Sequence, residues 1–300
     1  MTTEELHIRD PYILVNNGTY YLYRAIITEK PEKVVVYTSN DLKNWSNEKN
    51  IYTLCTNTWK SEDIWAPEVH EYCGKFYIFL SIKGKSGLRG TEISVCDTPD
   101  GVFTPITNRP ATPLDKCCID GTLFVDGEIP YIVYSRNWPN NYIKDKDAYI
   151  GQIWGQRLSK DLKNPIGEAF LIFNSDESPY SAKLPSREFW GGKNLVRYGS
   201  DGPFITKLSN GKLFMIWSPY CAGNYVVLGA VANDIHGPWK HIDKPLFNEN
   251  GGHAMLFTAL DGQRKICLHC PEEYMKERAL ILDVEEKNDE LIIIKRNTNG

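Results

Sequence analysis

Five times along this chain, two β-prone runs are joined by a short polar turn, and the five units follow one another without a linker. The first unit spans residues 8–23: Tyr12 to Val15 is β-prone, Asn16-Asn17-Gly18 is a turn, and Thr19 to Tyr23 is β-prone again. Asn-Gly between two such runs is a strong hairpin signal. The later units open at Ala66, Asp120, Asp201 and Gly252, and turn at Cys73-Gly74, Asp126-Gly127, Asn210-Gly211 and Asp261-Gly262. Hairpin repeats of roughly fifty residues point to a propeller, in which each blade is a four-stranded sheet around a central channel. The expectation is an all-β fold, a five-bladed β-propeller filling residues 1–300 as a single domain. Asp161-Leu162-Lys163-Asn164 echoes Asp41-Leu42-Lys43-Asn44, which supports a repeat. The third unit is the longest; its extra length, around residues 175–199, reads as a long loop bordering a site.

Composition excludes several functions. The net charge is −4, with no basic block, which argues against a nucleic-acid partner. No apolar run is long enough to span a membrane, and the first five residues carry no leader signature, so the expectation is a cytoplasmic protein. The eight cysteines are scattered rather than arranged as a disulfide framework. Cys267-Leu268-His269-Cys270 has the form of half a zinc site; with no second Cys-x-x-Cys, and in a strand-like stretch, its thiols read as structural.

Three units carry an aspartate near the start of their first strand: Asp10, Asp120 and Asp201. One such residue caps a turn as a matter of routine. Three at corresponding places would converge on the channel, since each first strand lines it. His253 opens the fifth unit and would face the same channel. Trp65, Trp138 and Trp190 lie near strand ends or in the long segment, where they could stack on a sugar or plug the core.

Arg9-Asp10-Pro11, Trp65-Ala66-Pro67-Glu68, Ile119-Asp120-Gly121, Ser200-Asp201-Gly202-Pro203-Phe204 and Gly251-Gly252-His253, in that order, resemble glycoside hydrolase family 43. The resemblance implies inverting cleavage of arabinose- or xylose-containing glycans, with an oligosaccharide or polysaccharide as partner. Exo-acting α-L-arabinofuranosidase or β-xylosidase is the expected type. It implies a general base at Asp10, a carboxylate at Asp120 that tunes and orients the acid, and a general acid where Asp201 stands. The family's acid is usually a Glu before Gly-Pro, so Asp201 is a departure. Glu188 and Glu68 are the alternative acids, and a sugar-binding propeller without catalysis is the rival reading. The resemblance requires no cofactor but implies a largely hydrated calcium or sodium ion beside His253.

Overall fold

The computed structural model describes residues 1–294 apart from 57, 137–139 and 191–192, and not the side chain of Trp190. The chain is all-β. Its described strands form six four-stranded sheets and one two-stranded ribbon. Five of the sheets correspond to the five hairpin units. The first is built from Tyr12–Asn16, Thr19–Ile26, Lys33–Ser39 and Lys49–Thr53, and the second from Lys60–Tyr72, Lys75–Gly84, Arg89–Cys96 and Thr104–Pro105. The third uses Cys118–Asp126, Ile129–Arg136, Gln152–Arg157 and Phe170–Asn174. The fourth uses Asp201–Lys207, Leu213–Ser218, Leu228–Ala232 and Lys240–His241, and the fifth Gly252–Thr258, Arg264–Cys270, Arg278–Lys287 and Glu290–Ile294. Within each, neighbours in sequence are neighbours in space and all pairings are antiparallel.

No sheet closes on itself. The first strands touch one another in series instead: first with second, second with third, third with fourth, fourth with fifth, and fifth with first. Apolar faces of adjacent sheets pack between them. Ile13, Leu22 and Val35 of the first sheet meet Ile64, Ile78 and Leu80 of the second in one buried cluster. The β-branched run Val34-Val35-Val36 suits this, being at most 1% exposed in an extended backbone. At the first turn Asn17 and Gly18 both take left-handed angles (φ +47° and +74°), as a two-residue hairpin matched to strand twist requires. The two Asp-Leu-Lys-Asn turns also agree: Leu42 and Leu162 are both left-handed, at φ +61° and +59°.

The long segment of the third unit is not a loop. It holds a short helix, Pro179–Lys183, and two strands, Ser186–Trp190 and Lys193–Tyr198. With Tyr142–Ile143 and Ala148–Ile150 these strands make the sixth sheet, in which Ala148–Ile150 runs parallel to Lys193–Tyr198. The β-prone residues 148–157 are split between two sheets, because the chain passes from the sixth to the third at Gly151.

A buried ion pair within the second sheet is tied to the first sheet by Tyr52. Lys60 Nζ lies 2.7 Å from Glu92 Oε2, with the side chains 3% and 1% exposed, and the Tyr52 hydroxyl donates to Glu92 at 2.7 Å. Removing one partner strands the other charge in a dry place. Lys60→Met is expected to cost about 3–5 kcal/mol in urea unfolding, and Lys60→Met with Glu92→Leu to recover most of the loss.

Candidate active site

A left-handed residue marks the first strand of every one of the five hairpin sheets, at or near its start for Asp10, Asp120, Gly202 and His253 and in mid-strand for Ala66, with φ between +45° and +53°. In the second to fifth sheets it coincides with a register shift against the second strand. Such a bulge re-aims side chains that would otherwise follow the pleat. Asp10, Asp120 and His253 therefore occupy the same repeat position. Asp201 does not: it stands one residue earlier, and Gly202 takes the left-handed place. The correspondence expected of the three aspartates is thus corrected by one residue in the fourth sheet.

The bulges bring these groups together. His253 Nδ1 lies 3.2 Å from Asp10 Oδ1 and 4.0 Å from Asp120 Oδ2. The backbone N–H of Gly202 donates to Asp120 Oδ2 at 2.9 Å. A Cβ on Gly202 would fall 3.0 Å from two atoms of the His253 ring, at a φ of +51°. Glycine avoids both the strain of that angle and the shift of the ring that a Cβ would force. On the other side of Asp201, the Tyr225 hydroxyl donates to its Oδ2 at 3.4 Å.

The three carboxyls do not titrate alike. Burial opposes the charge on Asp10, but His253, Arg9 and His269 outweigh it and hold the carboxyl well below its usual range. Burial raises Asp120, and the charge of Asp10 adds to this, against His253 and the Gly202 amide, which lower it. Burial and then the neighbouring Asp120 push Asp201 up to about 7. His253 loses some basicity to burial and regains more from Asp10, Asp120, Glu68 and Asp201, so its pKa is raised.

Of the alternative acids, Glu68 lies buried in the second sheet, 3.2 Å from His70 Nε2. Glu188 sits in the sixth sheet and is ion-paired with Arg197, whose guanidinium lies 4.9 Å from the centre of the Tyr220 ring. Neither joins the Asp10–His253–Asp120 contact. Trp65 precedes the left-handed Ala66 and is 37% exposed. Arg89 covers one face of its ring at 3.1 Å from the centre and is fixed by the Asp63 carbonyl and carboxylate at 2.8 and 3.0 Å. Trp138 and the side chain of Trp190 lie outside the described residues.

Sequence reading missed Tyr225, Arg89, His269 and Glu272. His269 was masked by the cysteines around it. Cys267 and Cys270 form no disulfide, Cys267 is buried in its strand, and no group of three side chains able to hold a metal exists among the described residues. For the ion expected beside His253, the donor set is one imidazole nitrogen. Nδ1 faces Asp10, and Nε2 is buried with no protein partner. With the ring singly protonated and its Nδ1–H toward Asp10, these residues fit an ion held through Nε2 and otherwise by water; the doubly protonated ring, which the surrounding carboxylates favour, carries a proton there in the ion's place, and neither form fits an ion caged by protein oxygens.

The family profile described as Glycosyl hydrolases family 43 matches residues 4–291. The chain belongs to that family. Among solved structures it is similar to the endo-arabinase from Bacteroides thetaiotaomicron VPI-5482, with a TM-score of 0.85 and 34% identity, covering 96% of this chain and 98% of that one. Among curated proteins it is 25% identical to the extracellular exo-α-(1→5)-L-arabinofuranosidase of Streptomyces avermitilis over 289 residues, 88% of this chain and 54% of that protein. It is 21% identical to the extracellular endo-α-(1→5)-L-arabinanase 2 of Bacillus subtilis, over 85% of this chain and 54% of that protein. The chain thus spans about half the length of these curated relatives.

Gly202→Ala is expected to cost about 1–3 kcal/mol, the strain of a left-handed non-glycine residue, as read by chemical denaturation. The His253 ring must also move, so the Asp10–His253 contact should be lost in a crystal structure of the variant.

Proposed function

We propose that this chain is an inverting glycosidase acting on arabinose-containing glycans, with xylosides as the second choice. The observation that carries the reading is the divergence of two carboxyls in one cluster: Asp10 is held ionised while Asp201 is pushed up to about 7. Carboxyls whose surroundings drive their pKa values apart are suited to acid and base roles. In this reading Asp10 takes a proton from water as the water attacks the anomeric carbon, and Asp201 gives a proton to the departing oxygen. Inversion requires the two to lie roughly 6.5–9.5 Å apart to leave room for that water. Burial, and after it the like charge of Asp120, keeps Asp201 protonated near neutrality, and the bond of Asp120 to the Gly202 amide holds the neighbouring backbone in place. Trp65 offers its uncovered face to a sugar. An ion at His253 Nε2 would add positive charge beside the carboxylates; no step here runs through it.

The architecture proposed for this site is a five-bladed propeller, supported by the five antiparallel sheets and the serial contact of their first strands. Exo action is the first choice, and the sixth sheet is hydrogen-bonded to the ribbon that carries Tyr220 and Tyr225. Pro185 bridges to Cys221, and Ser186 Oγ donates to the Tyr220 carbonyl at 3.1 Å, next to the tyrosine pair that approaches Asp201. Linear arabinan tests this: arabinose alone as the early product supports exo action, whereas oligosaccharides would place the chain with endo enzymes.

Asp10→Asn should abolish hydrolysis and leave sugar binding by calorimetry intact. Asp201→Asn should slow phenyl glycosides far more than nitrophenyl glycosides, because a good leaving group departs without a proton. Equal loss on both, with the leaving-group pattern appearing in Glu188→Gln, would move the acid to Glu188. The unaltered protein should lose kcat/KM as pH rises through about 7, where Asp201 deprotonates. Asp120→Asn should move that basic limb to lower pH, because the acid loses the negative neighbour that raises it. Binding of arabino-oligosaccharides without any hydrolysis would instead favour the sugar-binding reading.

A further inference from the structure

Ser81, Ser135, Ser218 and His269 occupy one repeat position in the second to fifth sheets. Each lies on its sheet's second strand, paired with the residue just before the left-handed one: Ser81 with Trp65, Ser135 with Ile119, Ser218 with Asp201, His269 with Gly252. From there the side chain reaches the next sheet. Ser81 Oγ accepts the backbone N–H of Asp120 at 2.7 Å, and Ser218 Oγ accepts that of His253 at 2.8 Å. Ser135 bonds Ser200 instead, hydroxyl to hydroxyl, at 2.7 Å. At the closing junction, from the fifth sheet back to the first, the residue is a fully buried imidazole, and its Nδ1 accepts the N–H of Asp10 at 3.2 Å.

The ring is fixed on every side. An Nδ1 that accepts requires the proton on Nε2, and Glu272 Oε2 lies 2.5 Å from Nε2 to receive it. Glu272 is held in turn by two bonds from Arg9, at 2.9 and 3.0 Å, and by the Tyr220 hydroxyl at 2.5 Å. Tyr225 stacks on the imidazole at 5.5 Å with planes 19° apart. Nδ1 also lies 3.3 Å from Asp10 Oδ1. Burial lowers the ring's basicity, but Asp10 and Glu272 raise it by more, and a doubly protonated ring donates to Asp10 Oδ1 where the singly protonated ring accepts the amide, so residue 10 is held in either form, by its carboxylate or by its backbone. Asp10 needs such a hold because its own φ is +49°, a left-handed angle that a non-glycine residue keeps only when its surroundings enforce it.

We propose that His269, oriented by Glu272, is a positioning residue for Asp10: it fixes the strained backbone of residue 10 so that the carboxylate stays aimed at the attacking water. The proposal rests on the reading of Asp10 as the base. It explains why the closing junction departs from serine: at this junction alone the amide being held belongs to the residue that must activate water.

The test compares the full chain with His269→Ser, His269→Asn, Glu272→Gln and Asp10→Asn on 4-nitrophenyl and phenyl α-L-arabinofuranoside. Misplacement of the carboxylate by about 1 Å should lower kcat of His269→Ser by about 10- to 100-fold. KM should stay within about twofold, and the loss should be equal on both substrates, since protonation of the leaving group is untouched. His269→Asn should recover part of kcat, because its amide oxygen can accept the same N–H. Glu272→Gln, which keeps the imidazole, should show a smaller loss of the same kind and serves as the deciding variant if His269→Ser does not fold. Unchanged kcat in the folded variants, with Asp10→Asn inactive, overturns the positioning role. A loss confined to the phenyl substrate also overturns it, and would place His269 behind Asp201 by way of Tyr225. Hydrolysis by Asp10→Asn would show that the base reading itself had failed.

Discussion

The contact between His253 and Asp10, with Asp120 4.0 Å from the same nitrogen, is what allows this site to exist. Two buried carboxyls and a third at their side repel one another, and taking them out of water is costly unless opposite charge comes with them. His253 supplies that charge from the fifth sheet, and Arg9 from the edge of the first. The compensation is uneven: Asp10 touches the imidazole directly and stays ionised, while Asp201 is left to absorb the repulsion of Asp120. Positive charge placed off-centre thereby differentiates groups of identical chemistry.

The placement depends on backbone rather than on side-chain reach. Each of the five hairpin sheets spends one left-handed residue at the same spot, and only one of these is glycine. Non-glycine residues at such angles cost on the order of 1–3 kcal/mol each. The side chains of the preceding sheets hold several of them: Ser81 for Asp120, Ser218 for His253, His269 for Asp10. Strain in one sheet is thus restrained by a hydrogen bond from its neighbour, which makes the geometry of the cluster a property of the whole ring.

Much of this was legible in the residues. The five hairpin units, the grouping of Asp10 and Asp120 with His253, and the family all follow from turn chemistry and the ordered motifs. The offset of Asp201 was not legible, because Asp-Gly-Pro reads like Arg-Asp-Pro until the bulge shows which residue turns left-handed. The sixth sheet was hidden because its strands are short and its central pairing joins segments more than forty residues apart, Ala148 with Val196. His269 was hidden by two cysteines that suggested a metal. The endings Phe79-Leu80-Ser81, Val133-Tyr134-Ser135, Ile216-Trp217-Ser218 and Cys267-Leu268-His269 carry the signal that would have found it, once aligned on the turns.

The junction between the last sheet and the first has a consequence for the order of events during synthesis. His269 grips an amide 259 positions earlier in the chain, and Arg9 is clasped by Glu272 and Glu277, 263 and 268 positions away. The residue that emerges first among the catalytic candidates is therefore the last to receive its seat. Contacts across such separations form late, after the loops between them have been closed. A ribosome-bound chain still lacking the fifth sheet would carry Asp10, Asp120 and Asp201 yet have neither the imidazole that neutralises them nor the one that holds residue 10. In the proposed reading, the base would thereby be seated only when the fifth sheet meets the first.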